Sequence, residues 1–194
     1  MGDHRDGDWI QTFTERQFWP LDPKPEDVCI EDIAHSLSLT CRYGGHCKRF
    51  YSVAEHSIHV ATGVEMGGGD YLECLRALLH DAGEAYLCDI QRPIKPFIIG
   101  FAEIEARVEE AIGEAFNIEM VKSPLIKDID TRIVVDEVEA VVGKASMDWH
   151  RQLGAAVGIR IPAWAPEDAE RRFLSEFRWL DGKVFDRSVM GRGA

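Results

Sequence analysis

Three consecutive glycines, Gly67-Gly68-Gly69, cut through the most strongly helical part of the chain and set the end of one helix and the start of the next. Ahead of them, Ser52 followed by Glu55 has the spacing of a capping box, which predicts a helix running to about Met66. Behind them, Asp70 followed by Glu73 repeats the signal. Leu72, Leu75, Leu78 and Leu79 then supply the apolar face of the second helix. Three glycines in helical conformation would each cost about 1 kcal/mol relative to alanine, so the two segments are separate helices.

The same grammar covers the remaining chain. Pro20, Pro23 and Pro25 make residues 19–27 extended, giving an N-terminal arm over residues 1–28. From Ile30 the period is helical, with Ile33 and Leu37 on one stripe that ends near Cys41, and Arg42–Tyr51 reads as a loop around Gly44-Gly45. Pro93 and Pro96 break the pattern before a helix of roughly Phe97–Phe116. Ser123-Pro124 is an N-cap with proline at the first helical position, opening a long helix to about His150. Pro166 opens a last helix ending near Leu180, and residues 183–194 read as a disordered tail. Strand-like alternation is nearly absent. The expected fold is all-α, one compact helical domain over residues 29–182, an ordinary size for a chain of 194 residues.

Composition narrows the partners. Apolar residues make up 45% and charged residues 29%, as in a globular protein with a true core. A net charge of −12 argues against wrapping a long nucleic acid, which needs a basic surface, but not against a small anion held by a metal and a few local cations. No apolar run approaches the ~20 residues of a membrane span, and Met1–Asp8 is too acidic and polar for a signal peptide. Five scattered cysteines, Cys29, Cys41, Cys47, Cys74 and Cys88, read as reduced thiols, so a cytoplasmic protein is expected. The small size and the arm suggest a homo-oligomer.

The residues that carry chemistry are His56, the adjacent pair His80-Asp81, and Asp130. Adjacent side chains on a regular helix diverge by about 100°, so His80 and Asp81 converge on one point only where the helix ends, and Ala82-Gly83 supplies that place. Two imidazoles and two carboxylates suit Mn²⁺, Fe²⁺, Co²⁺, Ni²⁺ or Zn²⁺ with coordination sites left over. Each ligand alone is a weak signal, since a helical histidine or an aspartate near a helix start usually has a structural role. The ordered set carries the weight.

Val53-Ala54-Glu55-His56-Ser57, Leu78-Leu79-His80-Asp81-Ala82-Gly83-Glu84-Ala85 and Asp89-Ile90-Gln91-Arg92-Pro93-Ile94-Lys95 together resemble the HD-domain phosphohydrolases. The likeness is to the small branch of 5′-deoxynucleotidases and phage-type deoxynucleoside triphosphate triphosphohydrolases, and it covers roughly Ile30 to Val142. It implies metal ligands at His56, His80, Asp81 and Asp130, with Glu137 as the glutamate that trails the last of them. It implies a catalytic Glu84 that handles the attacking water, a sugar contact at Asp89, a phosphate-binding Arg42 and a phosphate or loop contact at Lys95. Tyr43 stands where relatives carry a bulky aromatic beside the sugar, with tyrosine in place of tryptophan. His46, Lys48 and Arg49 are further cations that can take a longer phosphate chain or be solvated loop charge. A second metal such as Mg²⁺ can be held by Glu84 and Asp89. The expected activity is hydrolysis of a phosphate ester of a nucleotide, from either a monophosphate or a triphosphate. The rival readings are a catalytically idle nucleotide-binding regulatory module and an HD hydrolase of another phosphorylated small molecule. His35 and His59 stand outside the expected site.

Overall fold

The structure, a computed structural model, describes residues 5–144 and 149–190. Helix α1 spans Ile30–Leu39. The two glycine-separated helices form where their caps place them. Helix α2 is Val53–Met66 with the Glu55 amide donating to Ser52 Oγ at 3.0 Å, and α3 is Tyr71–Leu78 with the Glu73 amide donating to Asp70 Oδ1 at 3.0 Å. There follow α4 (Glu84–Leu87), α5 (Phe101–Ala115), α6 (Pro124–Glu137), α7 (Trp149–Leu153) and α8 (Pro166–Met190). The fold is all-α, as its periodicity and caps predict. Among the described residues the only paired strands are β1 (Ile10–Gln11) and β2 (Gln17–Phe18), an antiparallel hairpin with Ile10 opposite Phe18.

Helix α2 is the axis of the domain. Apolar Val53, Ala54, Ile58, Val60, Ala61 and Val64 are buried on it, and so are the polar Glu55, His56 and Ser57, the pattern of a helix enclosed on all sides. It packs on α1, α3, α6 and α8. Ile33 and Leu37 of α1, Leu75 and Leu78 of α3, and Phe173 and Leu180 of α8 belong to the same buried cluster, each contributing about 1.5–3 kcal/mol of hydrophobic stabilisation. Gly63 decides how closely α6 approaches: a Cβ there would lie 2.6 Å from Ile129 Cγ2. Because Gly63 follows His56 by seven residues, it lies on the same side of α2. The close contact therefore draws Asp130, next to Ile129, toward His56.

Four boundaries differ from the sequence expectation. The arm is not simply extended. Phe18 is buried and stacks on Tyr86 with ring centroids 3.8 Å apart, Arg5 pairs with Asp22 at 3.2 Å and Asp27 at 2.5 Å, and Thr14 donates twice to buried Asp32. The arm is thus packed into the domain that begins at α1. Helix α5 starts at Phe101, not Phe97, because a short 3₁₀ turn over Lys95–Phe97 precedes Gly100 in a left-handed conformation. Helix α6 passes into a π-helical turn, Val138–Val142, and stops at Gly143 (φ +109°), short of His150; residues 145–148 lie outside the described ones. Helix α8 runs on to Met190 instead of ending near Leu180, with Val184 still packed on the core. Of the tail expected to be disordered, only residues 191–194 lie outside the described part. No described helix is long and apolar enough to cross a membrane, and all five cysteines are free.

Candidate metal centre

Helix α3 ends at Leu78, Leu79 caps it, and His80–Gly83 form a turn before α4 begins at Glu84. That break lets His80 and Asp81 face one point. His80 Nε2 lies 3.0 Å from Asp81 Oδ2 and 3.7 Å from Asp130 Oδ1, while His56 Nε2 lies 3.6 Å and 3.2 Å from the same two oxygens. One donor atom from each of His56, His80 and Asp130 falls within 4.8 Å of the others, so these three can hold a metal ion. Asp81 Oδ2 sits against both imidazole nitrogens beside them. Both Nε2 atoms are buried and neither has an aligned hydrogen bond. Buried polar atoms almost always have a partner, and a cation between the nitrogens and the carboxylates would supply one. The donor set therefore fits a metal. Without one, burial opposes charge on His80, but Asp81 and Asp130 outweigh it and push its pKa up to about 10. The same histidines hold both aspartates well below the usual carboxylate range against the effect of burial.

The outer nitrogens of the imidazoles are fixed. His80 Nδ1 lies 2.7 Å from the Ala77 carbonyl, and His56 Nδ1 lies 2.6 Å from Glu137 Oε1. Since a carbonyl and a carboxylate only accept, each Nδ1 is the donor, and the Nε2 lone pair of the neutral ring is left for the centre. Glu137 is fully buried. Its Oε1 also accepts from Tyr51 at 2.9 Å, and its Oε2 accepts from Tyr43 at 2.5 Å and Arg42 Nη2 at 3.2 Å. Burial alone would raise this carboxyl, yet Arg42, His56 and the hydrogen bonds bring it down to about 2. Glu137→Ala leaves the Arg42 guanidinium beside two tyrosine hydroxyls with its 3.2 Å carboxylate partner gone and only Asp81, at 3.9 Å, as counter-charge. It should lower stability by about 3–5 kcal/mol, read from urea unfolding. An unchanged midpoint would mean the network contributes nothing.

The other expected residues divide into two groups. Close to the centre are Glu84, whose Oε2 is buried without a hydrogen bond, and half-buried Asp89. Burial, with Asp81 and Asp89 nearby, pushes the Glu84 carboxyl up to about 9. Arg42 Nη1 is 3.9 Å from Asp81 Oδ2, and Tyr43, in a left-handed conformation at φ +59°, is held on Glu137. The second group is turned elsewhere. The Lys48 amine rests where a Cβ of Gly143 would stand, Arg49 donates to the Pro162 carbonyl at 3.1 Å, Lys95 pairs with Glu105, and His46 is exposed. His59 lies against Glu55 and Trp164, and His35 against Phe13 and Glu170. Three neighbours of the centre were not singled out by sequence reasoning: Tyr51, Arg92 (3.7 Å from Asp130 Oδ2) and Lys122 (3.4 Å from Asp81 Oδ1). The spacing of Glu137, two turns after Asp130 on one face of α6, was a signal for its place; the other three carry none.

Fold and site together define an all-α protein with a histidine–aspartate centre able to hold a metal ion. No family model matches the chain. It is 33% identical over 129 residues to the uncharacterized protein YfdR of Escherichia coli, covering 66% of this chain and 70% of that one. It is 35% identical over 156 residues to an uncharacterized protein of Rhodobacter capsulatus, covering 75% of this chain and 79% of that one. The chain belongs to the family of these two bacterial proteins.

Proposed function

We propose that the protein is a divalent-metal-dependent phosphohydrolase of the HD type acting on a (deoxy)nucleotide, with His56, His80, Asp81 and Asp130 holding Mn²⁺, Fe²⁺, Co²⁺, Ni²⁺ or Zn²⁺. The observation that carries this reading is the pair of buried Nε2 atoms that have no aligned hydrogen bond and converge on one oxygen each of Asp81 and Asp130. A bound divalent cation would polarise the phosphate and favour a nucleophilic water. Glu84 is the group to orient that water, because its Oε2 is buried and uncommitted, and to take its proton once a bound cation offsets the charge of Asp81 and lets the carboxyl ionise. Arg42, anchored on Glu137 and 3.9 Å from Asp81, is placed to balance charge on the phosphate oxygens. Asp89 is the sugar contact in this reading, with Tyr43 beside it.

Of the two nucleotide substrates, the monophosphate is favoured. Of the cations read as able to meet a longer phosphate chain, Arg49 donates to the Pro162 carbonyl, the Lys48 amine lies over Gly143 and His46 is exposed. Nucleoside mono- and triphosphates incubated with each of the five metals, with products identified, test the reading. Absence of phosphate or triphosphate release from every pair would overturn it. The double variant Lys48→Ala/Arg49→Ala should change turnover of a deoxynucleoside monophosphate and its triphosphate by the same factor. A loss confined to the triphosphate would reverse the preference.

A further inference from the structure

Each carboxylate of the centre has one oxygen turned inward and the other held by a cation from outside. For Asp130 the outer partner is Arg92, an exposed side chain. For Asp81 it is Lys122, and here the arrangement is more tightly built. Asp81 Oδ2 faces both imidazole nitrogens, while Oδ1 lies 3.4 Å from Lys122 Nζ. Lys122 stands one residue before Ser123, whose hydroxyl accepts from the Ile126 amide at 3.3 Å and caps the helix that carries Asp130. The position of the ammonium is therefore tied to the same helix start as the opposite ligand.

We propose that Lys122 is a positioning residue that restricts Asp81 to a single inward oxygen and moderates the negative charge of the centre. This rests on the metal-centre reading above. A free aspartate can chelate a divalent cation through both oxygens, which tightens binding and occupies a coordination position that substrate or water would use. An ammonium on Oδ1 opposes that rotation. It also repels the incoming cation, so it weakens binding of the metal while keeping the centre open.

The test compares Co²⁺ binding to the metal-free wild-type chain, Lys122→Met and Lys122→Arg, by calorimetric titration and by the visible absorption of the bound cobalt. Methionine keeps the length and removes the charge. Lys122→Met should bind Co²⁺ ~tenfold or more tightly, with weaker visible bands as the coordination number rises. Lys122→Arg should keep the wild-type affinity and spectrum. Unchanged affinity and spectrum in Lys122→Met would overturn the proposal and leave Lys122 a rim cation. Weaker binding would overturn it too, making the side chain a prop for α6. Failure of the wild-type chain to bind Co²⁺ at all would instead remove the metal centre itself, an outcome distinct from either.

Discussion

On the phosphohydrolase reading proposed above, His80→Ala should abolish metal binding and phosphate release together. The imidazole is almost fully buried, its Nδ1 is fixed on Ala77, and its Nε2 faces both Asp81 and Asp130. In the proposed set of His56, His80, Asp81 and Asp130 it is one of only two nitrogen donors, and its loss should empty the site. Elemental analysis of the purified variant and a thermal-shift titration check the expectation. Metal should raise the melting temperature of the wild-type chain through preferential binding to the folded state and leave the variant unmoved. A variant that retains full metal content would remove His80 from the ligand set.

Glu84→Gln should lower turnover by ~10²–10⁴-fold, the usual range for a lost general base, while leaving the first metal bound. It should also stabilise the metal-free protein at neutral pH, and the sign of that effect follows from the raised carboxyl. With a folded pKa of about 9 against an ordinary value of 4.5, the contribution of Glu84 to stability is complete below about pH 4.5. It is lost as pH rises toward 9, because the unfolded chain releases the proton first. Glutamine does not titrate, so its advantage over glutamate should grow from pH 5 to pH 8. Melting temperatures of the two metal-free proteins across that interval decide the matter. An advantage that stays flat across that interval would show that Glu84 ionises without cost in the folded chain, and near-normal turnover would remove it from the chemistry.

These expectations couple stability to activity through one buried pocket. Glu137 works in the opposite direction: its carboxyl is held down to about 2, so its support is present above about pH 4.5 and fades as pH falls through 2. Acid therefore loosens the far side of His56, whereas alkali loosens the side of Glu84. Between these limits lies the window in which the metal-free centre is best held.

Much of this was readable in the chain itself because it depends on neighbours a few residues apart. The capping boxes at Ser52 and Asp70 close hydrogen bonds three residues long, and the glycine run between them admits no helix, so α2 and α3 appear where the pattern puts them. The turn at His80–Gly83 and the convergence of His80 and Asp81 follow from the same local rule. What only the tertiary structure decided involves partners far away in sequence. Whether Arg49 faces a phosphate or the Pro162 carbonyl depends on a contact 113 residues distant, and Arg42 meets Glu137 across 95. The Glu55 amide completes the cap on Ser52, while its carboxylate accepts from the Ala163 and Trp164 amides at 2.8 and 2.6 Å and ties α2 to the segment before α8. Periodicity assigns a charged side chain to a face of a helix or to a loop. It cannot say which buried donor or acceptor will meet that charge, because in the desolvated interior the choice is set by whichever polar group the packing of α2 on α6 leaves without a partner.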